Sequence, residues 1–425
     1  MKLFCAADVH LGRVPSRLPP HLPFRAEDLA PRAAWHALID SCLEEGVQAL
    51  LLAGDVIDDA RDLFEAYADL EQGVRRLQQA GTEVIAVAGN HDARALARLD
   101  DAVPGLRLLG RGGRWEAHQL GSGPEAVRIV GWSFPSDHVT ATPVGEELRE
   151  LLAAPAPATT FGLLHGDVDA SASRYAPLSR AALQAAGVDA WLLGHVHAPA
   201  AFDAGERVGY LGSLAATDPG EAGRRHAWLV TVSSGTIEFQ PRSLAPLRYD
   251  ELEVDLAGCG ADDAPSRLIV AIRERLVRHS SDPAVRAVAL KLRLHGRVER
   301  PADVLEALRQ AEVEALTVEV DGRVAFVHAV TALLEPPLEL DRWAQGNDPI
   351  GVAARTLAVL RGPASAKRDT LIQDARARLA PVRARGTFAE LAWQEPSDEL
   401  IAARLEAATL RLLATLAAQR EERAP

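Results

Sequence analysis

A chain of 425 residues, 48% hydrophobic and 25% charged, has the composition of a soluble globular protein and is too long for one ordinary core. Its net charge of −13 argues against a basic nucleic-acid coat, because counterion release needs clustered Lys and Arg at the phosphates. Cys5, Cys42 and Cys259 lack paired spacing, which excludes a disulfide framework or thiolate metal site; without a long apolar run or a basic, apolar leader, the expected address is cytoplasmic, with no membrane span.

Along the chain one shape recurs: an apolar run that reads as a buried strand, then residues of metal-ligand type where it ends. Residues 3–7 precede Asp8-Val9-His10, and a loop over 13–28 follows, stiffened by Pro15, Pro19, Pro20 and Pro23 and read either as a connector or as a lip lining a substrate. Helical spacing of Trp35, Leu38, Ile39, Cys42 and Leu43 predicts a helix over Pro31–Glu45 that ends at Gly46. The run Ala49–Ala53 leads to Gly54-Asp55, a second helix is expected over Leu63–Gln79, and residues 84–88 lead to Gly89-Asn90-His91-Asp92. Closer strands follow at 106–109, Trp115–Leu120 and Val127–Trp132, so a mainly β half is expected after an α/β half. Residues 161–164 run into His165, and Ala190–Gly194 into His195-Val196-His197. The architecture expected for 1–245 is a two-sheet α/β sandwich flanked by helices.

Near residue 245 the motifs stop. Strands over 249–256 and 285–294, helices over 265–277 and 302–315, and one or two strands within 316–330 give a small α+β domain over 246–337. The remainder, 338–425, is rich in Ala, Leu, Arg and Glu and reads as a helical tail. In its last helix Ile401, Leu405, Ala408, Leu412 and Leu416 fall near one face, for packing on the chain itself or for docking a partner.

Ligand-type residues on loops at strand ends are held by a rigid sheet yet face an open crevice. Asp8, His10, Asp55, Asn90, His165, His195 and His197 offer mixed oxygen and nitrogen donors without thiolate, which suits two divalent cations, manganese first and then iron or zinc. Such a pair can clamp a phosphate and a bridging water and stabilise the attacking and leaving oxygens of an in-line displacement. His91, next to Asn90, is placed to protonate the leaving alkoxide. Taken singly, a strand-end Asp is often a helix cap and a His in an apolar run often a core residue. Their joint occurrence in this order is hard to obtain by accident. His21, His36, His118, His138, His226, His279, His295 and His328 lack this context and read as surface or packing residues.

The blocks Asp8-Val9-His10, Gly54-Asp55, Gly89-Asn90-His91-Asp92, His165-Gly166 and Gly194-His195-Val196-His197 resemble those of the calcineurin-like metallophosphoesterase superfamily. The resemblance implies one metal on Asp8, His10, Asp55 and His197, the other on Asp55, Asn90, His165 and His195, and His91 as the acid. Over 1 to about 235 the finer segments are similar to bacterial DNA-repair exonucleases of the SbcD and YhaO type: Ala7-Asp8-Val9-His10-Leu11-Gly12, Tyr175-Ala176-Pro177-Leu178, Tyr210-Leu211-Gly212-Ser213-Leu214 and Glu221-Ala222-Gly223. Where those nucleases commonly carry a second histidine after the Gly-Asp block this chain has Asp58, which by resemblance to the phosphatase branch pairs with His91. The resemblance implies a two-metal DNA exonuclease in repair or end processing, partnered by an SMC-like ATPase of the SbcC class, with homodimers common in the family. Tyr175 and Arg94 are candidate substrate contacts, and Arg98, Arg107, Arg111 and Arg114 could meet the DNA backbone. The alternative is a small-molecule phosphodiesterase or phosphatase, for example on cyclic nucleotides; a third reading is a catalytically idle scaffold.

Overall fold

The computed structural model describes residues 1–421 other than 59–62, 156, 158, 171, 200, 201, 203–205, 234, 338 and 384–395. In chain order the elements framing the candidate site begin with β1 (Lys2–Ala6), α1 (Pro31–Glu45), β2 (Ala49–Ala53), α2 (Leu63–Gln79), β3 (Glu83–Val87), α3 (Ala95–Ala102) and β4 (Leu106–Leu108). There follow β5 (Trp115–Leu120), β6 (Val127–Trp132), α4 (Glu146–Ala153), β7 (Thr159–His165), α5 (Arg180–Ala185), β8 (Ala190–Gly194), β9 (Val208–Tyr210), β10 (Ala227–Ser233) and β11 (Thr236–Arg242). Helix α1 has Pro31 in its first turn and ends at Gly46 with φ 62°, where the lack of a Cβ removes the penalty of left-handed backbone.

One sheet has the order β11-β10-β1-β2-β3-β4, with β1 to β4 parallel; the other is β5-β6-β7-β8-β9, parallel from β6 onward. Alternation of side chains decides the layers. Leu3, Cys5, Leu51 and Ile85 of the first sheet meet Ile129, Phe161, Leu163 and Leu192 of the second in one core. Phe4, Leu50 and Leu52 instead pack on Trp35, Leu38, Leu70 and Val74 of α1 and α2. Leu164, Trp191 and Leu193 cover Leu148 and Leu183 of α4 and α5. The result is the expected two-sheet sandwich between helices. The second half is mainly β, as expected, with α4 and α5 as the short crossovers that the parallel neighbours β6, β7 and β8 need.

A third sheet, of order β12-β13-β15-β14, contains β12 (Leu247–Asp255), β13 (Ala287–Arg297), β14 (Thr317–Val320) and β15 (Arg323–Glu335), with α6 (Ala264–Arg278) and α7 (Pro301–Gln310) in its connections. The helix expected over 302–315 stops at Gln310, and a 3-10 turn, Val313–Ala315, follows Glu312 at φ 48°. The proline-containing loop docks on this sheet: Leu18, Leu22 and Phe24 pack with Tyr249, Ala287 and Phe326, and the Arg286 guanidinium lies 4.6 Å from the Phe24 ring centre.

By internal contacts the chain divides into two compact units: Met1–Asp255, Asp262–Leu294 and Glu306–Ala332; and Leu256–Ala261, His295–Leu305 and Leu333–Pro425. The second unit contains α8 (Leu340–Ala344), α9 (Pro349–Arg361), α10 (Ala366–Arg383) and α11 (Asp398–Glu421). Of the tail expected over 338–425, residues 338, 384–395 and 422–425 lie outside the described residues. In α11, Ile401, Ala402 and Leu405 pack with Ile372, while Leu410, Leu413 and Leu416 pack with Ile350, Ala354 and Leu357. Leu412, expected on the apolar face, is half exposed, and Leu413 is buried in its place. Among the described residues no helix is long and apolar enough to cross a membrane.

Candidate metal centre

The last residue of β7 and loops leaving the ends of β1, β2, β3 and β8 bring the ligand-type residues to one place. Asp8, His10, Asp55 and His195 have φ of 49°, 52°, 51° and 98°, a left-handed backbone that non-glycine residues rarely adopt. Four such residues in one cluster are strain concentrated where side chains must be re-aimed. Gly54, at φ 87°, lies so close to the cluster that a Cβ there would sit 2.5 Å from His165 Nδ1.

Each imidazole turns one nitrogen towards the shared space. His10 Nε2 faces His197 Nε2 at 3.2 Å, and His165 Nε2 and His195 Nδ1 each lie 3.2 Å from Asn90 Oδ1. His165 Nε2 is also 3.4 Å from Asp55, and His197 Nε2 is 3.9 Å from Asp8. Among the described residues two groups have donor atoms within 4.8 Å of one another: Asp8, His10 and His197; and Asp8, Asp55 and His165. Asp8 therefore enters both, and Asn90 touches the two histidines beside the second. Lone pairs of facing imidazoles and carboxylates repel in a buried site, so a donor set of this kind fits divalent cations.

Residues 1–199 match the family model described as calcineurin-like phosphoesterase. The chain carries a calcineurin-like phosphoesterase domain. That family implies a metal-dependent hydrolase, and its fold uses a dimetal centre. Beyond the family, the chain is similar to the metallophosphoesterase YhaO of Bacillus subtilis, 26% identical over 73% of this chain and 77% of that protein. It is also similar to the DNA double-strand break repair proteins Mre11 of Haloferax volcanii (28% identical; 76% of this chain, 66% of that protein) and Halobacterium salinarum (27% identical; 67% and 68%).

Around the phosphoesterase cluster, His91 donates its backbone N–H to Asp55 at 2.9 Å, and its ring is partly exposed. His91 Nδ1 lies 3.9 Å from Asp58, whose other oxygen accepts from Arg13 Nε. Tyr175 comes within 5.0 Å of the His195 ring, centre to centre, and stacks on His138 at 5.7 Å. Arg94 is largely exposed and pairs with Asp137 at 3.9 Å, outside both ligand groups; Arg111 pairs with Asp101. Sequence patterns do not single out Arg13 or Asp167, and Glu221 enters only within the Glu221-Ala222-Gly223 resemblance, without a role. Asp167 meets His195 Nε2 at 3.3 Å, and Glu221 meets His197 Nδ1.

Asp92 is the buried tie between the two loops that carry Asp55 and Asn90. Its carboxylate accepts from Val56 N at 2.6 Å, Ile57 N at 3.4 Å and Gly89 N at 2.7 Å. Burial, and then the charge of Asp55, push its pKa up to about 7. Asp92→Ala strands its two close donors, the buried N–H groups of Val56 and Gly89, at about 1–3 kcal/mol each. The free energy of unfolding in denaturant should therefore fall by about 2–6 kcal/mol in all; an unchanged midpoint would contradict the tie.

Electrostatics in the cluster divide its members. Burial lowers the pKa of His10 to about 3 and, with the charge of His165, that of His195 to about 4. Burial also opposes a charge on His165, but Asp55 and Asp8 outweigh it and raise that pKa to about 9. Metal ligands must be deprotonated. Below about pH 9 the metal-free protein holds a proton on His165; with His165 as a ligand a divalent cation must displace it, so the cation's affinity should increase as pH rises towards that value. Calorimetry in buffers of different ionisation enthalpy should register proton release; binding that is independent of both pH and buffer would be inconsistent with His165 as a ligand.

Proposed function

We propose that the chain is a manganese-dependent DNA exonuclease of repair or end processing, acting with an SMC-like ATPase in the cytoplasm. The observation that carries this reading is the similarity to Haloferax volcanii Mre11 over 335 residues, well past the 199 that the phosphoesterase family covers. The negative charge of the whole chain agrees with a partner that shares the task of holding DNA.

In this reading Asp8, His10, Asp55, Asn90, His165, His195 and His197 hold the cations, which supply Lewis acidity and an activated water when bound. The protein's own residues do the rest. His91, exposed beside the cluster, donates a proton to the leaving 3′ or 5′ oxygen of the cleaved phosphodiester. Asp58, held by Arg13, steadies that ring from the Nδ1 side. Tyr175, on its platform with His138, offers an aromatic face to a nucleobase.

A second reading, a small-molecule phosphodiesterase or phosphatase, is favoured by the approach of Asp58 to His91, since this is the position at which the nucleases commonly have a histidine. End-labelled single- and double-stranded DNA, bis-p-nitrophenyl phosphate and a cyclic nucleotide, each incubated with manganese, separate the two. Degradation of DNA by the wild type and its loss in His91→Ala supports the nuclease. Cleavage of the small diesters alone, with DNA untouched even beside an SbcC-type ATPase, would replace it with the second reading.

A further inference from the structure

The imidazoles of the cluster are oriented from outside as well as from within. His165 Nδ1 has the Ala53 carbonyl at 2.9 Å and His195 Nε2 has Asp167 at 3.3 Å, whereas His10 Nδ1 is buried without a hydrogen-bond partner among the described residues. In the group formed by Asp8, His10 and His197, the outer contact to a histidine is therefore the one between His197 Nδ1 and Glu221.

We propose that Glu221 is a positioning residue of this metal centre: it accepts the Nδ1 proton of His197, fixes the tautomer that leaves Nε2 a lone pair, and aims that lone pair at the cation shared with Asp8 and His10. The proposal rests on the two-metal reading above. Carboxylate partners of this kind set ring orientation and ligand basicity.

Glu221 is itself firmly held. Its second oxygen accepts from Thr217 N at 2.6 Å and Asp218 N at 3.3 Å, and its side chain is 13% exposed. Thr217 O accepts from Ser16 N at 2.9 Å, and Gly223 N donates to Tyr249 O at 2.9 Å, so the segment is pinned to the proline-containing loop and to the third sheet. On the other side, His197 O accepts from Arg225 Nη1 at 2.7 Å and from Ser213 N at 3.0 Å, which fixes the backbone that carries the ring. Ring rotation about the side-chain bonds is what remains for Glu221 to set.

The test is a manganese titration of the full chain, followed by electron paramagnetic resonance of free Mn2+, for wild type, Glu221→Gln and Glu221→Asp, with thermal melts of each metal-free protein. In Glu221→Gln the backbone N–H groups can hold the amide oxygen, which turns an NH2 towards Nδ1 and favours the wrong tautomer. One manganese site should then weaken by about 10–100-fold while the other keeps its affinity, with Glu221→Asp recovering part of the loss. Two sites of wild-type affinity in Glu221→Gln would overturn the proposal while leaving the two-metal reading in place. A lowered metal-free melting temperature with both sites weakened alike would also overturn it, making Glu221 a packing residue. Failure of the wild type to bind manganese would remove the two-metal reading, and the proposal with it.

Discussion

His91→Ala is expected to keep its full complement of bound metal and to lose turnover by about 10²–10⁴-fold, the range typical of a positioned general acid. The geometry separates the two properties. The backbone N–H of His91 is bonded to Asp55, so substitution leaves the loop in place, while the ring projects into the crevice with its centre 5.2 Å from that of His10. Its neighbour Asp58 approaches Nδ1, which leaves Nε2 free to face a leaving oxygen. Loss of metal together with turnover would make His91 a ligand; full turnover would remove it from the chemistry. A substrate whose leaving group needs no proton, such as a p-nitrophenyl ester, should lose much less rate in the variant.

Asp55→Asn should abolish both metal binding and hydrolysis. The Asp55 carboxylate lies between the His165 ring and the His91 N–H, and despite burial the surrounding imidazoles hold its pKa below the ordinary carboxylate range. Outer partners of metal ligands already cost 10–100-fold in affinity when removed, so loss of a charged ligand should cost more than about 100-fold. The amide substitution conserves volume, which separates loss of charge from loss of packing. Elemental analysis after desalting checks it, and wild-type metal content in Asp55→Asn would exclude Asp55 as a ligand.

Much of this site is legible in the sequence because strand-end ligands leave a local signature: an apolar run, a glycine, a polar residue. The signature places Asp55 after β2 and His195 after β8 without knowledge of the sheet order. It fails for groups that reach the cluster from segments without a strand pattern. Arg13 opens an irregular loop and meets Asp58 across 45 residues; Glu221 meets His197 across 24. The run Gly54-Asp55 preceding a left-handed backbone hints at strain, yet nothing in the residues announces φ of 49° at Asp8.

The fold shows the same division. Periodicity identifies β6, β7 and β8 as strands but carries no information on whether neighbours run parallel, so the short α4 and α5 crossovers between them are not legible from it. In α11 two adjacent leucines, Leu412 and Leu413, compete for one face, and a shift of one residue exchanges the buried for the exposed. The packing of the proline-containing loop on the third sheet joins residues 18–24 to residues beyond 245, a separation outside the reach of local pattern.

The measurement that bears most directly on the account is the number of manganese ions held per chain together with hydrolysis of a labelled DNA end, in metal-free protein reconstituted stepwise. Two ions per chain, with DNA hydrolysis appearing only as the second is added, is the predicted result. Hydrolysis that proceeds undiminished in chelator, or a chain that binds no manganese at the Asp8 to His197 cluster, would contradict it.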